Sequence, residues 1–197
     1  WQVYGVDASA EMLAQAKAKA EEQGTSIRWS QQDMRRFILP EQVSLVTCLY
    51  DSINYMLTSQ DLLAVFRRVY RALRPGGLFL FDMNTAWAFA TVWNGATYFA
   101  DSEALSTILE SVYDRRRQRA TVTLVCFHQV EDGDARTLYR KITERHTEQA
   151  YPPEQVATLL VDAGFCVEAS YDCFAFDKPT PTTTRIMWVA RRPDQSV

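Results

Sequence analysis

Four polar groups follow one another along the first half of the chain, each directly after a short apolar run: Asp7, Asp33, Tyr50-Asp51-Ser52 with Asn54, and Asp82 with Asn84. A single carboxylate after a strand is ordinary turn or capping chemistry. An ordered series is more telling, because open α/β sheets bind ligands at the carboxyl ends of their parallel strands. Asp7 ends its run where a carboxylate can accept hydrogen bonds from both hydroxyls of a ribose. Asp33, one strand over, is placed to accept from an adenine amino group, with Met34 beside it and Met12-Leu13 ahead of it as candidates to sandwich the ring.

These residues need strands and helices to position them. Gln2–Val6 is a short β-forming run that ends at Asp7, where the period changes to helical. Ser9 is a cap, Glu11 suits the positive helix end, and Met12, Leu13, Ala16 and Ala20 form a stripe stopped by Gly24. Ile27–Ser30 predicts a second strand. Val43–Leu49 predicts a third, apolar almost throughout and so buried on both faces. Thr58 or Ser59 caps a helix whose apolar face is Leu62, Leu63, Phe66, Val69, Tyr70 and Leu73, and Pro75-Gly76-Gly77 stops it before the strand Leu78–Phe81. Strands alternating with helices at short intervals imply βαβ units.

Beyond Asn84 the pattern changes to two-residue alternation. A strand near Thr107–Tyr113, a strand Ala120–Val130 and a strand Arg136–Gln149, with a turn at Glu131-Asp132-Gly133-Asp134, predict an antiparallel insertion over about residues 94–150. A helix then follows Pro152-Pro153, with Val156, Leu159, Leu160 and Ala163 on one face and Gly164 as its stop, and strands Cys166–Phe176 and Thr184–Ala190 close the chain. The fold class is therefore α/β: a Rossmann-like, mostly parallel sheet with flanking helices and an inserted antiparallel β lobe. The core takes residues 1–93 and 151–193 of a single domain.

Composition excludes several functions. In 197 residues, 47% hydrophobic content is ample for one core, which rules out disorder, and a net charge of −3 gives no broad reason to bind a phosphate backbone. No apolar run approaches the roughly 20 residues that span a bilayer. Cys48, Cys126, Cys166 and Cys173 lie far apart in apolar surroundings without a Cys-x-x-Cys pair, so they read as reduced thiols of a cytoplasmic protein and no metal site is expected.

Val3-Tyr4-Gly5-Val6-Asp7-Ala8-Ser9-Ala10-Glu11-Met12-Leu13, Gln32-Asp33-Met34, Cys48-Leu49-Tyr50-Asp51-Ser52-Ile53-Asn54-Tyr55 and Leu73-Arg74-Pro75-Gly76-Gly77 together resemble class I S-adenosylmethionine-dependent methyltransferases. The later stretches Glu144–Tyr151 and Ala163-Gly164-Phe165 resemble a small-molecule branch whose antiparallel insertion lies over the active site. The resemblance implies S-adenosyl-L-methionine as cofactor, with Asp7 on the ribose, Asp33 on the adenine amino group, Met12 and Met34 at the ring, and Leu49 and Tyr50 at the methionine end. It places Asp51, Asn54 and Tyr151 toward the acceptor. The family's glycine-rich loop does not occur in these residues. Trp1 begins where the following strand begins, so an upstream strand carrying that loop is expected outside this sequence.

The reaction implied is in-line transfer of a sulfonium methyl to nitrogen, oxygen or carbon of a small acceptor, helped chiefly by alignment and desolvation. Little acid–base machinery is needed, and Asp51, Tyr50 and His146 are the candidates to deprotonate or orient the acceptor. Trp87, Phe89, Trp93, Tyr98 and Phe99 suit a flat, apolar or cationic acceptor, or equally a core beneath the lobe. A catalytically inactive cofactor-binding module or partner subunit is the alternative. A nicotinamide-dependent reductase is a further one, which lacks a Tyr-x-x-x-Lys set here. Oligomeric state is not readable from the sequence.

Overall fold

The computed structural model describes residues 1–130, 137–173 and 175–194. Strands β1 (Val3–Asp7) and β2 (Ile27–Gln31) run parallel, Val3 opposite Ile27 and Asp7 opposite Gln31, with helix α1 (Ala10–Glu22) between them. Ser9 has extended backbone and its hydroxyl accepts from Met12 N–H, so α1 starts where its cap predicts. Gly5 is obligatory for this unit, since a Cβ there would lie 2.2 Å from the Trp29 ring that packs across β1.

Strand β3 (Val43–Cys48) pairs in parallel with β4 (Leu73–Asn84) across a 3₁₀ turn (Ser52–Tyr55) and helix α2 (Ser59–Ala72). Thr58 caps α2 by accepting from Asp61 N–H, and Leu62, Val65, Phe66 and Val69 turn inward. They meet Phe79 and Phe81 of β4, and the Phe81 ring stacks on Trp188 with centroids 6.1 Å apart. Each fully buried phenylalanine here contributes roughly 2–3 kcal/mol of apolar burial. Helix α4 (Pro153–Asp162) buries Val156, Leu159 and Leu160 on the same core and ends at Gly164, whose φ of 101° only glycine adopts easily. Strands β9 (Cys166–Asp172) and β10 (Arg185–Arg191) complete a sheet in the order β3-β4-β10-β9, and β10 is antiparallel to both neighbours.

The α/β, Rossmann-like arrangement with flanking helices is thus as expected, but the sheet is not mostly parallel: among the described residues parallel pairing is confined to β1–β2 and β3–β4. Strand β3 is not buried on both faces: Val43, Val46 and Cys48 are half-buried, while Leu45 and Thr47 are exposed because nothing among the described residues covers them. The Pro75-Gly76-Gly77 stop also works differently. Helix α2 ends at Ala72, and the segment from Leu73 already belongs to β4. Arg192 takes over the cap by donating to the Tyr70 and Leu73 carbonyls, while Gly76 N–H donates to the Arg192 carbonyl.

Past β4, a short helix α3 (Ala86–Ala88) and a π-helical turn (Phe89–Trp93) lead into four antiparallel strands in the order β5-β6-β7-β8: β5 (Thr97–Asp101), β6 (Leu105–Asp114), β7 (Arg119–Val130) and β8 (Leu138–Gln149). The sequence does not predict β5, because all five of its residues are exposed and show no buried–exposed alternation to give it away. The turn at Glu131-Asp132-Gly133-Asp134 lies outside the described residues. Phe89, Tyr113, Ala120 and Ala150 form a small second core where the lobe joins the sheet, which settles Phe89 as packing.

Candidate active site

Asp7 and Asp33 stand at the carboxyl ends of β1 and β2. The Asp7 carbonyl accepts from Gln32 N–H at 2.9 Å, and its side chain accepts from Ser9 N–H at 2.8 Å, a contact that fixes the turn and leaves carboxylate capacity free. Asp33 is more committed. Both its oxygens take hydrogen bonds from Arg35, which hold the carboxyl down to about 2, and Arg35 also reaches Asp61 at 3.1 Å. That bridge ties the end of β2 to the first turn of α2. Met34 is half-buried against the core, while Met12 stands 60% exposed on α1.

After β3 the chain makes a turn that L-residues resist. Tyr50 and Asp51 are both left-handed, at φ 57° and 51°. Asp82, buried at the far end of β4, secures this turn: its Oδ2 accepts from Asp51 N–H at 3.1 Å and from Arg185 at 2.6 Å. Arg185 gives its other amino group to Asp51 Oδ2 at 3.2 Å, and Asn84 donates to the same carboxylate. Asp82 Oδ1 is buried without a partner among the described residues. Burial pushes the Asp51 carboxyl up, against the downward pull of Arg185. The result is a rigid polar knot between β3, β4 and β10, with Tyr50 projecting from it at 83% exposure.

A cavity of about 370 Å³ opens beside this knot, within the size range of small-ligand sites. One wall is the inner face of the lobe, set by the two-residue strand period. Ser111 is opposite Val122, and Val122 is opposite His146. Leu109 and Glu148 continue that face, while Tyr55, Trp93 and Tyr98 close the other sides. Tyr55 Oη lies 3.0 Å from His146 Nδ1, and His146 Nε2 lies 3.2 Å from Glu144 Oε2, which forms a phenol–imidazole–carboxylate chain on the rim. Glu148 is 5% exposed and takes a long contact of 3.4 Å from Asn84.

Of the expected catalytic residues, His146 lines the cavity, Asp51 stands behind it, linked through Asn84 to Glu148, and Tyr50 is exposed outside the lining, while two expected acceptor contacts are buried in packing. Asn54 is fully buried; its amide donates to the Asn84 and Gln149 carbonyls and accepts from Asn84 N–H. With both amide protons and one lone pair of its oxygen taken by backbone and no surface exposed, it clamps β4 to β8. Tyr151 is likewise buried, its hydroxyl committed to the Met56 carbonyl. Of the aromatic cluster, Trp93 and Tyr98 line the cavity, whereas Trp87 and Phe99 are exposed beyond it. Leu49 is partly exposed where β3 ends. Sequence reasoning missed Ser111, Glu148 and Arg185; the i, i+2 spacing of Glu148 from His146 is the signal that places it on the same wall.

Comparison with known proteins agrees with this architecture. A family profile described as a methyltransferase domain matches residues 1–77. A relative from Geobacillus sp. (strain WCH70), named as a methyltransferase, is 30% identical over 190 residues, covering 96% of this chain and 75% of the relative. The crystal structure of an S-adenosylmethionine-dependent methyltransferase from Clostridium acetobutylicum superposes with a TM-score of 0.86 at 27% identity, over 98% of this chain and 76% of that one. A dTDP-4-amino-2,3,4,6-tetradeoxy-D-glucose N,N-dimethyltransferase from Saccharopolyspora spinosa is 28% identical over 141 residues, 69% of this chain and 53% of that protein.

Proposed function

Because this chain belongs to the class I S-adenosylmethionine-dependent methyltransferases, we propose that it methylates a small molecule held in the cavity between core and lobe. S-adenosylmethionine supplies an electrophilic sulfonium methyl when bound. The residues present fit that cofactor. Asp7 keeps free acceptor capacity for ribose hydroxyls, and the orphaned Asp82 Oδ1 offers a buried acceptor beside the Tyr50–Asp51 turn where its ammonium group would be received. Asp33 would meet the adenine amino group while still bound to Arg35, and Met12, Met34, Leu49 and Tyr50 would complete the apolar and backbone contacts.

The observation that carries the reading is the cavity itself. It is joined through Glu148 and Asn84 to Asp51, so an acceptor in it lies next to the turn that follows β3. Asp51 and the Tyr55–His146–Glu144 chain would orient the acceptor, and the aromatic walls would exclude water. The dimethyltransferase relative, whose name specifies an amino sugar, supports a small-molecule acceptor here. Residues 1–93 and 151–193 would then carry the cofactor and the lobe at 94–150 would roof the acceptor. Strands β1 and β3 each pair on one side only among the described residues, and we read their free edges as the seat of the glycine-loop strand that the family carries. The test is transfer of labelled methyl from S-adenosylmethionine to a panel of small amines, alcohols and carbon acids, with calorimetry of cofactor binding alongside. Binding and turnover on a small acceptor are expected; binding without turnover on any acceptor contradicts the reading.

A further inference from the structure

We propose that Ser111 and Glu148 form an amine-recognition site on the inner wall of this cavity, with Glu148 as the group that receives the ammonium proton before methyl transfer. This rests on the methyl-transfer reading and names the acceptor's reacting group.

Two independent observations point to a ligand there. Ser111 is 2% exposed and lines the cavity, yet its Oγ has no partner among the described residues. A buried hydroxyl is costly to leave unpaired, so its counterpart is expected from what enters the cavity. Glu148 is the second. Arg185, whose charge reaches Glu148, spends its ion pairs on Asp51 and Asp82, and among the described residues Glu148 keeps only the long Asn84 contact. Asp51, Asp82 and Glu148 thus share one arginine behind the Glu148 wall of the cavity, a field that favours a cation. The rings of Tyr55, Trp93 and Tyr98 around it suit the same charge.

Proton chemistry narrows the acceptor further. Burial first, and the Asp51 charge second, raise the Glu148 carboxyl to about 7. An alkylammonium near the lysine value of about 10.4 is roughly three powers of ten from such an acceptor, whereas an aliphatic hydroxyl near the water value of about 15.7 is almost nine. Amines are within reach and alcohols are not. In the balanced step the ammonium gives one proton to the Glu148 carboxylate and becomes a neutral amine. Its lone pair then forms the new C–N bond while the S–C bond breaks with its pair staying on sulfur. The product is a methylammonium ion, and Glu148 later returns its proton to water.

The test uses cyclohexylamine and its neutral counterpart cyclohexanol as probes, with binding followed by NMR titration of the full chain with and without S-adenosylmethionine. Wild type is expected to prefer the amine at least tenfold, with affinity rising as pH increases through about 7 and Glu148 becomes a carboxylate. Asp51, Asp82, Arg185, Tyr55, Glu144 and His146 also stand near this region. His146→Asn must therefore keep the pH step, while Glu148→Gln must abolish both the step and the preference, and Glu148→Asp must restore part of each. Ser111→Ala should lower amine affinity severalfold without lowering Tm, and it decides the matter if Glu148→Gln does not fold. Equal binding of amine and alcohol, or unchanged amine affinity in Ser111→Ala or a folded Glu148→Gln, overturns the site. Wild type that prefers the amine but does not bind S-adenosylmethionine overturns the methyl-transfer reading instead.

Discussion

The two ends of the candidate site are built on opposite principles. Around β1 and β2 the carboxylates sit near the surface, each fixed by one local partner: Asp7 by Ser9 N–H, Asp33 by Arg35 two residues on. At the end of β3 and β4 the polar groups are buried and held by residues from remote parts of the chain, with Asp51 tied to Asp82, Asn84 and Arg185. The first arrangement can be altered one residue at a time at little cost to folding. The second is a single network in which a buried group left unpaired is expensive. Proposed ligand contacts and structural contacts are therefore separable at one end and fused at the other.

Substitutions can break that contrast. The largest effect is expected from Asn54→Ala, which orphans two carbonyls and one N–H at once and should lower stability by about 3–5 kcal/mol in urea unfolding. A loss below about 1 kcal/mol would mean that the clamp is not structural. Next comes pH. The Glu148 carboxyl is raised from 4.5 to about 7, so the folded state holds that proton more tightly than the unfolded chain. Its stabilising contribution is present at acid pH and is lost as pH climbs from 4.5 to about 7, by at most about 3 kcal/mol. Glu148→Gln should flatten that part of the stability profile, and an unchanged slope would show that another group titrates. Asp7→Ala should weaken S-adenosylmethionine about a hundredfold by calorimetry, equivalent to about 2.7 kcal/mol, with Tm almost unmoved. A parallel fall in Tm would erase the distinction between the two ends. The smallest effect is Thr58→Ala, about 1 kcal/mol of stability from the lost cap on α2, with cofactor affinity unchanged.

How much of this the sequence discloses follows the same divide. Ser9, Thr58, Gly164 and the apolar stripes of α2 and α4 act within one or two helical turns, so cap chemistry and periodicity locate them. The order of polar strand ends is likewise local, and Asp7, Asp33 and Asp51 are legible from it. Arg185 is not, because it lies 134 residues from the Asp51 it pairs with, and nothing near it in the chain marks that partner. Glu144 and Glu148 share one strand face in sequence, but only the tertiary fold exposes the first on the rim and buries the second. Asn54 shows the converse error: a polar residue near a site looks like a ligand contact until its backbone partners are known. Strand β5 escaped because an exposed edge strand has no buried face to write into the sequence.

The most direct test is a crystal structure of the full-length protein with S-adenosylhomocysteine and an amine bound together. Ribose hydroxyls on the Asp7 carboxylate, with the sulfur turned toward the Ser111–Glu148 end of the cavity, are the predicted result. An adenosine seated away from Asp7, or an amine outside the cavity, would contradict the account.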